Sequence, residues 1–503
     1  MTQVPSRRPT HHEQVARAAT TMSVLSAILT GWLFVKPRTR GLATNLIGYG
    51  LKIVGGALSP VIGLMGLVGA MLARRVRRPF AAVAGALGAF LATGYVRRVT
   101  AHHDGFAQAF GPDWEARLEA AGHVARGDAA LRNAGAAASE APALEGAAWK
   151  AGAAWKADAA WKAASPTSPP TVSGVRAGLP CRRGPRAPIW RRPYLTWRWA
   201  LGQVAKRPRP RVLRDLAFAT VPGSHRALLC DLWLPAAGVP RSGIGVIYLH
   251  GGAWQAFDKG VATGPFHRHL TVHGHVVMDV AYRMARETDM AGMLGDAKRA
   301  IAWLKDNAAC LGIDPARIVI SGASAGGHLA LLAAYTPGNP QFDPPDLGGA
   351  DTAVRGVIAY YPVADLRSLS QHWSEQAMHP LATAVGKAVG YFSPEGYLPW
   401  SRLAVRLFGA PLAEAGASLL TYSPVAHVAS HCPPTLLLQG LHDHVVPVAD
   451  VQALHRALVA AGRPSVLVEL PQVEHAFDMV GLQLSPPAQA ALYDVERFLA
   501  LVA

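Results

Sequence analysis

Short apolar runs alternate with longer helical patterns from about Val212 onward, and this alternation most constrains the fold. It is typical of a mostly parallel sheet covered by helices, because each parallel strand must return through a crossover connection. Ligands of such sheets bind at the carboxyl ends of the strands. The predicted strands are 228–234, 244–249, 276–281, 317–322, 354–361, 434–439 and 465–470, and the predicted helices are about 291–308, 325–335, 448–461 and 486–501.

The N-terminal region contains two long runs without a charged residue. Residues 53–73 and 79–96 form uncharged runs of 21 and 18 residues, close to the ~20 that a helix needs to cross a bilayer. An arginine-rich turn at 74–78 joins them, and glycines in both runs allow close helix packing. This pattern predicts a transmembrane helical hairpin. A buried helical pair in a soluble domain is the alternative.

Residues 19–35 form a weaker third candidate, which could span the membrane, lie at its interface or act as an uncleaved signal anchor. We therefore expect residues 1–100 to be an integral membrane-anchoring region with two or three transmembrane helices. The positive-inside rule favours a cytoplasmic arginine turn, but basic residues flank every candidate span. The side of the membrane on which the C-terminal part lies stays open.

Residues 101–210 are expected to connect the two regions. An amphipathic segment at about 101–126 could lie under the membrane, and residues 165–193 read as a Pro- and Arg-rich linker. Between them Ala-Ala-Trp-Lys-Ala occurs three times, at Trp149, Trp155 and Trp161. A period of six places these tryptophans on different faces of a helix. An interfacial anchor and a repeat expansion in a tolerant linker both remain open.

The positive charge is confined to the N-terminal part. The chain carries +17 overall, but residues 1–214 hold 31 Lys and Arg against 9 Asp and Glu, and residues 215–503 hold 18 against 23. Basic residues beside apolar helices can pair with the phosphates of lipid headgroups, which is enough to account for the positive charge. The chain shows no motif that recognises nucleic acid. We expect membrane lipids as partners of this region and no nucleic acid.

The four cysteines are Cys181, Cys230, Cys310 and Cys432. They lie far apart in the sequence and include no CxxC pair. This spacing argues against both a disulfide framework and a cysteine-ligated zinc site.

The motif Gly322-Ala323-Ser324-Ala325-Gly326 fits G-x-S-x-G. It follows one predicted strand and opens a predicted helix, which is the setting of a nucleophile elbow. Small residues around Ser324 are what such a sharp turn requires. The pattern predicts Ser324 as a nucleophile.

Residues 250–254, His-Gly-Gly-Ala-Trp, directly follow another predicted strand. The backbone N–H groups of Gly251 and Gly252, with that of Ala325, are candidate donors to an oxyanion. A plain Gly-Gly turn is the alternative.

Asp443 and His475 each follow a predicted strand, so that the chain order is Ser324, Asp443, His475, the order of an α/β-hydrolase triad. Acid and base must leave neighbouring strand ends to meet the serine. Other polar residues lie close in sequence, namely His442, His444, Asp450 and Asp478.

Taken together, five motifs resemble the carboxylesterase and hormone-sensitive-lipase-like branch of the α/β-hydrolase superfamily, over residues 212–503. They lie at 250–254, 279–283, 322–327, 440–447 and 474–477. The resemblance implies an esterase with Ser324 as nucleophile, His475 as base and Asp443 as its orienting acid, without metal or organic cofactor. Ala253 stands where lipase-like members often have glycine, and the motif also resembles formamidase-like and feruloyl-esterase-like relatives.

Residues 365–420 interrupt the alternation and are rich in aromatic residues. They are expected to form a cap with an apolar acyl pocket, or an ordinary helical excursion with its own core. The preferred function is a membrane-anchored serine carboxylesterase acting on small-molecule or lipid esters. The alternatives are an amide or formamide hydrolase, carbon–carbon-bond chemistry, and an inactive membrane-tethered binding protein.

Overall fold

Eight strands form one mixed sheet: β1 Arg211–Thr220, β2 Ala227–Leu234, β3 Gly243–Leu249, β4 Val276–Val280, β5 Ile313–Ala323, β6 Gly356–Tyr360, β7 Thr435–Gly440 and β8 Ser465–Leu470. The computed structural model describes residues 10–36, 42–120, 208–374, 398–481 and 484–502. The strand order is β1-β2-β4-β3-β5-β6-β7-β8. Strand β2 pairs antiparallel with both β1 and β4, and all other neighbouring strands pair parallel. The predicted α/β class is confirmed.

All seven predicted strands are present, with ends that differ by at most four residues. Strands β4, β6 and β7 are buried at every position, as expected for strands covered on both faces. Strand β1 was not predicted. It lies at the sheet edge, and its first half, with Arg211, Arg214 and Asp215, is largely exposed, so it lacks the apolar run that marks the others.

Helices cover both faces of the sheet, and each face has its own apolar core. The four predicted helices are α8 Met290–Asp306, α10 Ala325–Tyr335, α14 Val448–Ala460 and α15 Pro486–Val502. The others of this region are α7 Gly264–Val272, α9 Ala308–Leu311, α11 Leu366–Ser374, α12 Trp400–Phe408 and α13 Gly416–Thr421. Helices α8, α10 and α14 pack on one face, and α7 and α15 on the other.

The N-terminal region begins with four helices, α1 His11–Leu33, α2 Leu42–Ala57, α3 Ser59–Arg75 and α4 Pro79–Val99. The prediction of one continuous span over 53–73 is wrong, because the chain bends by 77° between α2 and α3. Pro60, in the first turn of α3, has no N–H with which to continue α2. The Ser59 hydroxyl donates instead to the carbonyl of Gly56.

Helix α4 contains the predicted span 79–96, and it alone among the described helices is long and apolar enough to cross a bilayer unbroken. The bent pair Tyr49–Ala57 and Ser59–Arg75 is a second candidate span if the two helices are counted together as a single crossing. The third candidate, 19–35, lies in α1, which does not meet the same criteria.

Two short helices, α5 Gly105–Phe110 and α6 Trp114–Ala120, follow α4. These helices pack against the sheet, because Phe106 and Trp114 are buried in the core that also contains Val466 and Phe498. Their apolar faces cover the sheet beside α15. The Trp-Lys repeat, the Pro-rich linker and Cys181 lie outside the described residues, and Cys230, Cys310 and Cys432 are free thiols.

Candidate active site

Ser324 lies at the sharp turn between β5 and α10. Its φ and ψ of 55° and −118° fall in a region that residues with a side chain rarely adopt. Its N–H donates to the carbonyl of Tyr360 at 2.9 Å, and its own carbonyl accepts from the N–H of His328 at 2.9 Å. These bonds hold the strained turn and present the hydroxyl at the carboxyl end of the sheet.

The glycines on either side of Ser324 are required by contact with backbone. A Cβ at Gly322 would lie 2.4 Å from the carbonyl carbon of Gly326, and one at Gly326 would lie 2.1 Å from the Leu249 oxygen. Real Cβ contacts are never this short, so either substitution would push α10 away from β3 or β5. The prediction that the turn needs small residues agrees with this packing.

His475 and Asp443 meet Ser324 in the arrangement that the chain order predicts. His475 Nε2 lies 3.0 Å from Ser324 Oγ. Its Nδ1 lies 2.8 Å from Asp443 Oδ2. One imidazole therefore connects the serine hydroxyl to a carboxylate, which is the geometry a general base requires.

Asp443 is buried but remains a good acceptor. Its Oδ1 accepts from the N–H groups of Val445 and Val446, both at 2.9 Å, and Oδ2 accepts from Gln439 Nε2 at 2.9 Å. Burial by itself raises the pKa of this carboxyl, but the adjacent His475 and these donors hold its pKa below the ordinary value. Asp443 is therefore ionised at neutral pH. Sequence reasoning missed Gln439, although its position near the end of β7, just before the loop that carries Asp443, was a usable signal.

The acid loop, which follows β7 and carries Asp443, and the base loop, which follows β8 and carries His475, are joined by backbone hydrogen bonds. The N–H of Leu441 donates to Leu470 at 3.0 Å, and that of His442 donates to Val473 at 2.9 Å. A Cβ at Gly440 would lie 2.4 Å from the Val473 oxygen, so the close approach depends on glycine there. This contact fixes Asp443 relative to His475.

The neighbouring polar residues bind elsewhere. His444 Nδ1 lies 2.9 Å from Glu474 Oε2, and Asp478 accepts a hydrogen bond from the hydroxyl of Tyr361. Burial raises the pKa of Asp450 to about 6. Of Asp443, Asp450 and Asp478, the structure brings Asp443 to His475 Nδ1.

The loop at 250–254 lies directly against the elbow. A Cβ at Gly251 would lie 3.4 Å from the Cβ of Ser324. Gly252 has φ of +117°, and a Cβ there would lie 1.9 Å from the Ala256 oxygen. Burial lowers the pKa of His250, so this residue adds no charge, and its carbonyl accepts from the Tyr282 hydroxyl at 2.8 Å. Gly251 thus lies against Ser324, and Ala325 follows Ser324 directly in the chain.

Two described helices of the expected cap, α11 and α12, cover this loop with aromatic side chains. The ring centroids of Trp373 and Trp400 lie 6.3 and 6.2 Å from that of the fully buried Trp254. Trp373 Nε1 donates to the Val445 carbonyl at 2.9 Å, which joins α11 to the acid loop. The segment therefore packs onto the site rather than around a separate core. Phe392 and Tyr397 lie outside the described residues.

Helix α2 also contacts the acid and base loops, which sequence reasoning missed. Lys52 Nζ lies 2.5 Å from His442 Nδ1 and 3.7 Å from Glu474 Oε1. The Tyr49 hydroxyl donates to the carbonyl of His475 at 3.2 Å. Burial, with Lys52 and then Lys36 nearby, lowers the pKa of His442 to about 4, so His442 is a neutral acceptor. The signal was available, since Lys52 is the single charge in residues 41–73.

The chain is similar to a protein family and to known ester hydrolases. Residues 230–458 match the family model described as BD-FAE. The chain is 33% identical over 341 residues to the probable carboxylic ester hydrolase LipM of Mycobacterium tuberculosis, covering 66% of this chain and 72% of LipM. It is 33% identical over 275 residues to esterase LipQ of the same organism, covering 54% of this chain and 59% of LipQ.

Among solved structures, esterase 2 of Thermogutta terrifontis is 25% identical, with a TM-score of 0.43, over 57% of this chain and 93% of that one. The match with LipM is longer than residues 212–503, so it extends upstream of the sheet. On the extent and identity of that match, the chain belongs to the carboxylic ester hydrolases of the α/β-hydrolase superfamily.

Proposed function

We propose that this ester hydrolase is a membrane-anchored serine carboxylesterase in which Ser324 is the nucleophile, His475 the general base and Asp443 its orienting acid. The observation that carries the proposal is the pair of contacts on one imidazole, 3.0 Å to Ser324 Oγ and 2.8 Å to Asp443 Oδ2. Because Asp443 accepts at Nδ1, the neutral imidazole keeps its lone pair on Nε2, facing the hydroxyl.

In this mechanism His475 removes the proton of Ser324 as Oγ attacks the ester carbonyl. The alcohol leaves with that proton, and an acyl-enzyme forms on Oγ. Water, deprotonated by the same imidazole, then attacks the acyl carbon and releases the acid. The ionised Asp443 stabilises the imidazolium in both steps.

The tetrahedral intermediate needs donors for its oxyanion. The N–H groups of Gly251, Gly252 and Ala325 are the candidates, and the N-terminus of α10 adds a partial positive charge at Ala325. Each such donor lowers a barrier by about 3 to 4 kcal/mol. The close contact of Gly251 with Ser324 supports this assignment.

The proposed substrates are small-molecule or lipid esters with an apolar acyl group. The rings of Trp373 and Trp400 pack on Trp254 and on each other, so the surroundings of the 250–254 loop are apolar. Apolar walls with a few convergent polar groups are typical of small-molecule sites.

Two observations support membrane anchoring. Among the described residues, fifteen of the nineteen exposed large hydrophobic side chains lie between residues 24 and 90, including Phe80 and Phe90, which are 91% and 73% exposed. The bundle interior is instead made of small residues: a Cβ at Gly66 would lie 2.7 Å from the Gly85 oxygen. Large apolar side chains on the outer surface and small residues between the helices are the pattern of helices packed in lipid.

Labelling with a fluorophosphonate probe tests the proposed chemistry on the detergent-solubilised full chain. We expect the wild-type chain to be labelled, Ser324→Ala to remain unlabelled, and aryl esters from acetyl to palmitoyl to be hydrolysed by the wild type alone. Labelling without ester turnover, together with cleavage of aryl amides, would favour an amide hydrolase. A folded wild-type chain that takes no label would favour a binding protein.

A further inference from the structure

A second group of titratable side chains lies far from Ser324, between α7, the start of β4 and α15. Three histidines surround the carboxylate of Glu496. His269 Nε2 and His273 Nδ1 lie 3.1 and 3.3 Å from Oε1, and His275 Nε2 lies 3.6 Å from Oε2. One ligand atom each of His269, His273 and Glu496 can be chosen so that all lie within 4.8 Å of one another.

The spacing of these atoms suits a bound ion. Zinc–nitrogen and zinc–oxygen bonds of ~2.1 Å in a tetrahedron place neighbouring ligand atoms roughly 3.4 Å apart. The distances from His269 Nε2 and His273 Nδ1 to Glu496 Oε1, 3.1 and 3.3 Å, lie close to that value. Direct charge-assisted hydrogen bonds are usually shorter, about 2.7 to 2.9 Å.

The side chains are also held in place. His269 and His275 are each 2% exposed, and Glu496 is 15% exposed. His275 Nδ1 lies 2.8 Å from the Ser242 hydroxyl, which leaves Nε2 facing Glu496. His275 is thereby fixed beside the carboxylate.

Imidazole nitrogens and a carboxylate oxygen are the donors that bind zinc-type cations.

We propose that His269, His273 and Glu496 bind one divalent transition-metal ion of the zinc type. The ion would connect the last helix, α15, to the end of α7, and His275 lies beside it against Glu496 Oε2. His275 precedes Val276, which lies level with Ile318 in the parallel sheet, six residues before Ser324. The site is thus about 20 Å from the nucleophile, and its role is structural.

The test uses the full chain without a polyhistidine tag, stripped with a chelator and titrated with Zn²⁺ or with Co²⁺ as a spectroscopic probe. We expect one equivalent of zinc per chain and a visible Co²⁺ spectrum of tetrahedral intensity. Zinc should raise the Tm of the stripped wild type by roughly 5 °C.

Glu496→Gln and His273→Gln should each weaken zinc binding at least tenfold and abolish the rise in Tm. His225→Gln, at an exposed histidine outside the cluster, is the matched control and should bind as the wild type does. Aryl-ester turnover measured at 25 °C verifies that each variant is folded. Wild type that takes up no zinc, or folded variants that retain one equivalent, would show that Glu496 is merely hydrogen-bonded and would overturn the proposal.

Discussion

At the residue scale, the site depends on one acid being chosen among several. Asp443, Asp450 and Asp478 all follow β7 or β8 within a few residues, and they differ in what they contact. Asp443 has three donors besides His475 and stays ionised, whereas burial raises the pKa of both Asp450 and Asp478. An ionised carboxylate at Nδ1 is what stabilises an imidazolium.

Asp443→Asn is expected to lower kcat by about four orders of magnitude, because an amide at Nδ1 favours the wrong imidazole tautomer. The measurement is the rate of aryl-ester hydrolysis at neutral pH. Asp450→Asn removes a neighbouring carboxyl that does not contact His475 and should keep kcat within a factor of about two to three. If Asp443→Asn lost less than tenfold, Asp443 would not be the acid.

At the element scale, α2 is part of the surroundings of the triad. Lys52 reaches His442 and Glu474, the residues that immediately precede the candidate acid and base. Tyr49 bonds the carbonyl of His475 itself. A helix from the N-terminal region therefore holds both loops from outside the sheet, and Lys52 is expected to act as a positioning residue.

Lys52→Met is expected to lower kcat roughly 10- to 100-fold and leave KM nearly unchanged, because it loosens the alignment of acid and base without touching the acyl pocket. Lys52→Arg keeps the positive charge and should recover most of kcat. The matched control is Lys305→Met. Lys305 lies on the distant helix α8 and forms an ion pair with Asp351. A KM increase at constant kcat, or no difference from the control, would contradict the positioning role.

At the scale of the whole molecule, the N-terminal helices have two different surfaces. Tyr95, Val99 and Phe106 are buried in the same core as β3, β5 and α15. Val83 and Phe90 on α4 are 68% and 73% exposed. One end of the bundle thus packs on the hydrolase sheet, and its apolar outer surface is available to lipid.

The double variant Val83→Lys, Phe90→Lys should leave the carbonate-resistant membrane fraction, because a lysine in mid-span, at residue 90, costs about 2.5 to 3.5 kcal/mol of insertion free energy and the lysine nearer the helix end, at residue 83, adds a smaller cost. The measurement is fractionation of cells expressing the full chain. Val405→Lys, Val459→Lys, at exposed valines of the hydrolase region, is the control and should stay with the membrane. Retention of the first variant, or extraction of the wild type by carbonate, would contradict anchoring.

Local patterns predicted much of this fold. A buried parallel strand must be apolar throughout, and an elbow must have small residues beside its nucleophile, so β3 to β8 and the turn at Ser324 could be located from neighbouring residues. Strand β1 could not, because an exposed edge strand carries no continuous apolar run. The bend at Leu58 was missed because the prediction rested on the absence of charge, although Pro60 marks where a backbone hydrogen bond is lost.

The amino-acid sequence by itself determined the hydrolase fold and the candidate roles of Ser324, Asp443 and His475, which remain predictions until they are tested. Tertiary structure alone decided that Lys52 meets His442, 390 residues away, and that Glu496 lies against three histidines. The physical reason is distance along the chain: strand and turn preferences act between neighbours, whereas these contacts form only after the sheet brings remote segments together.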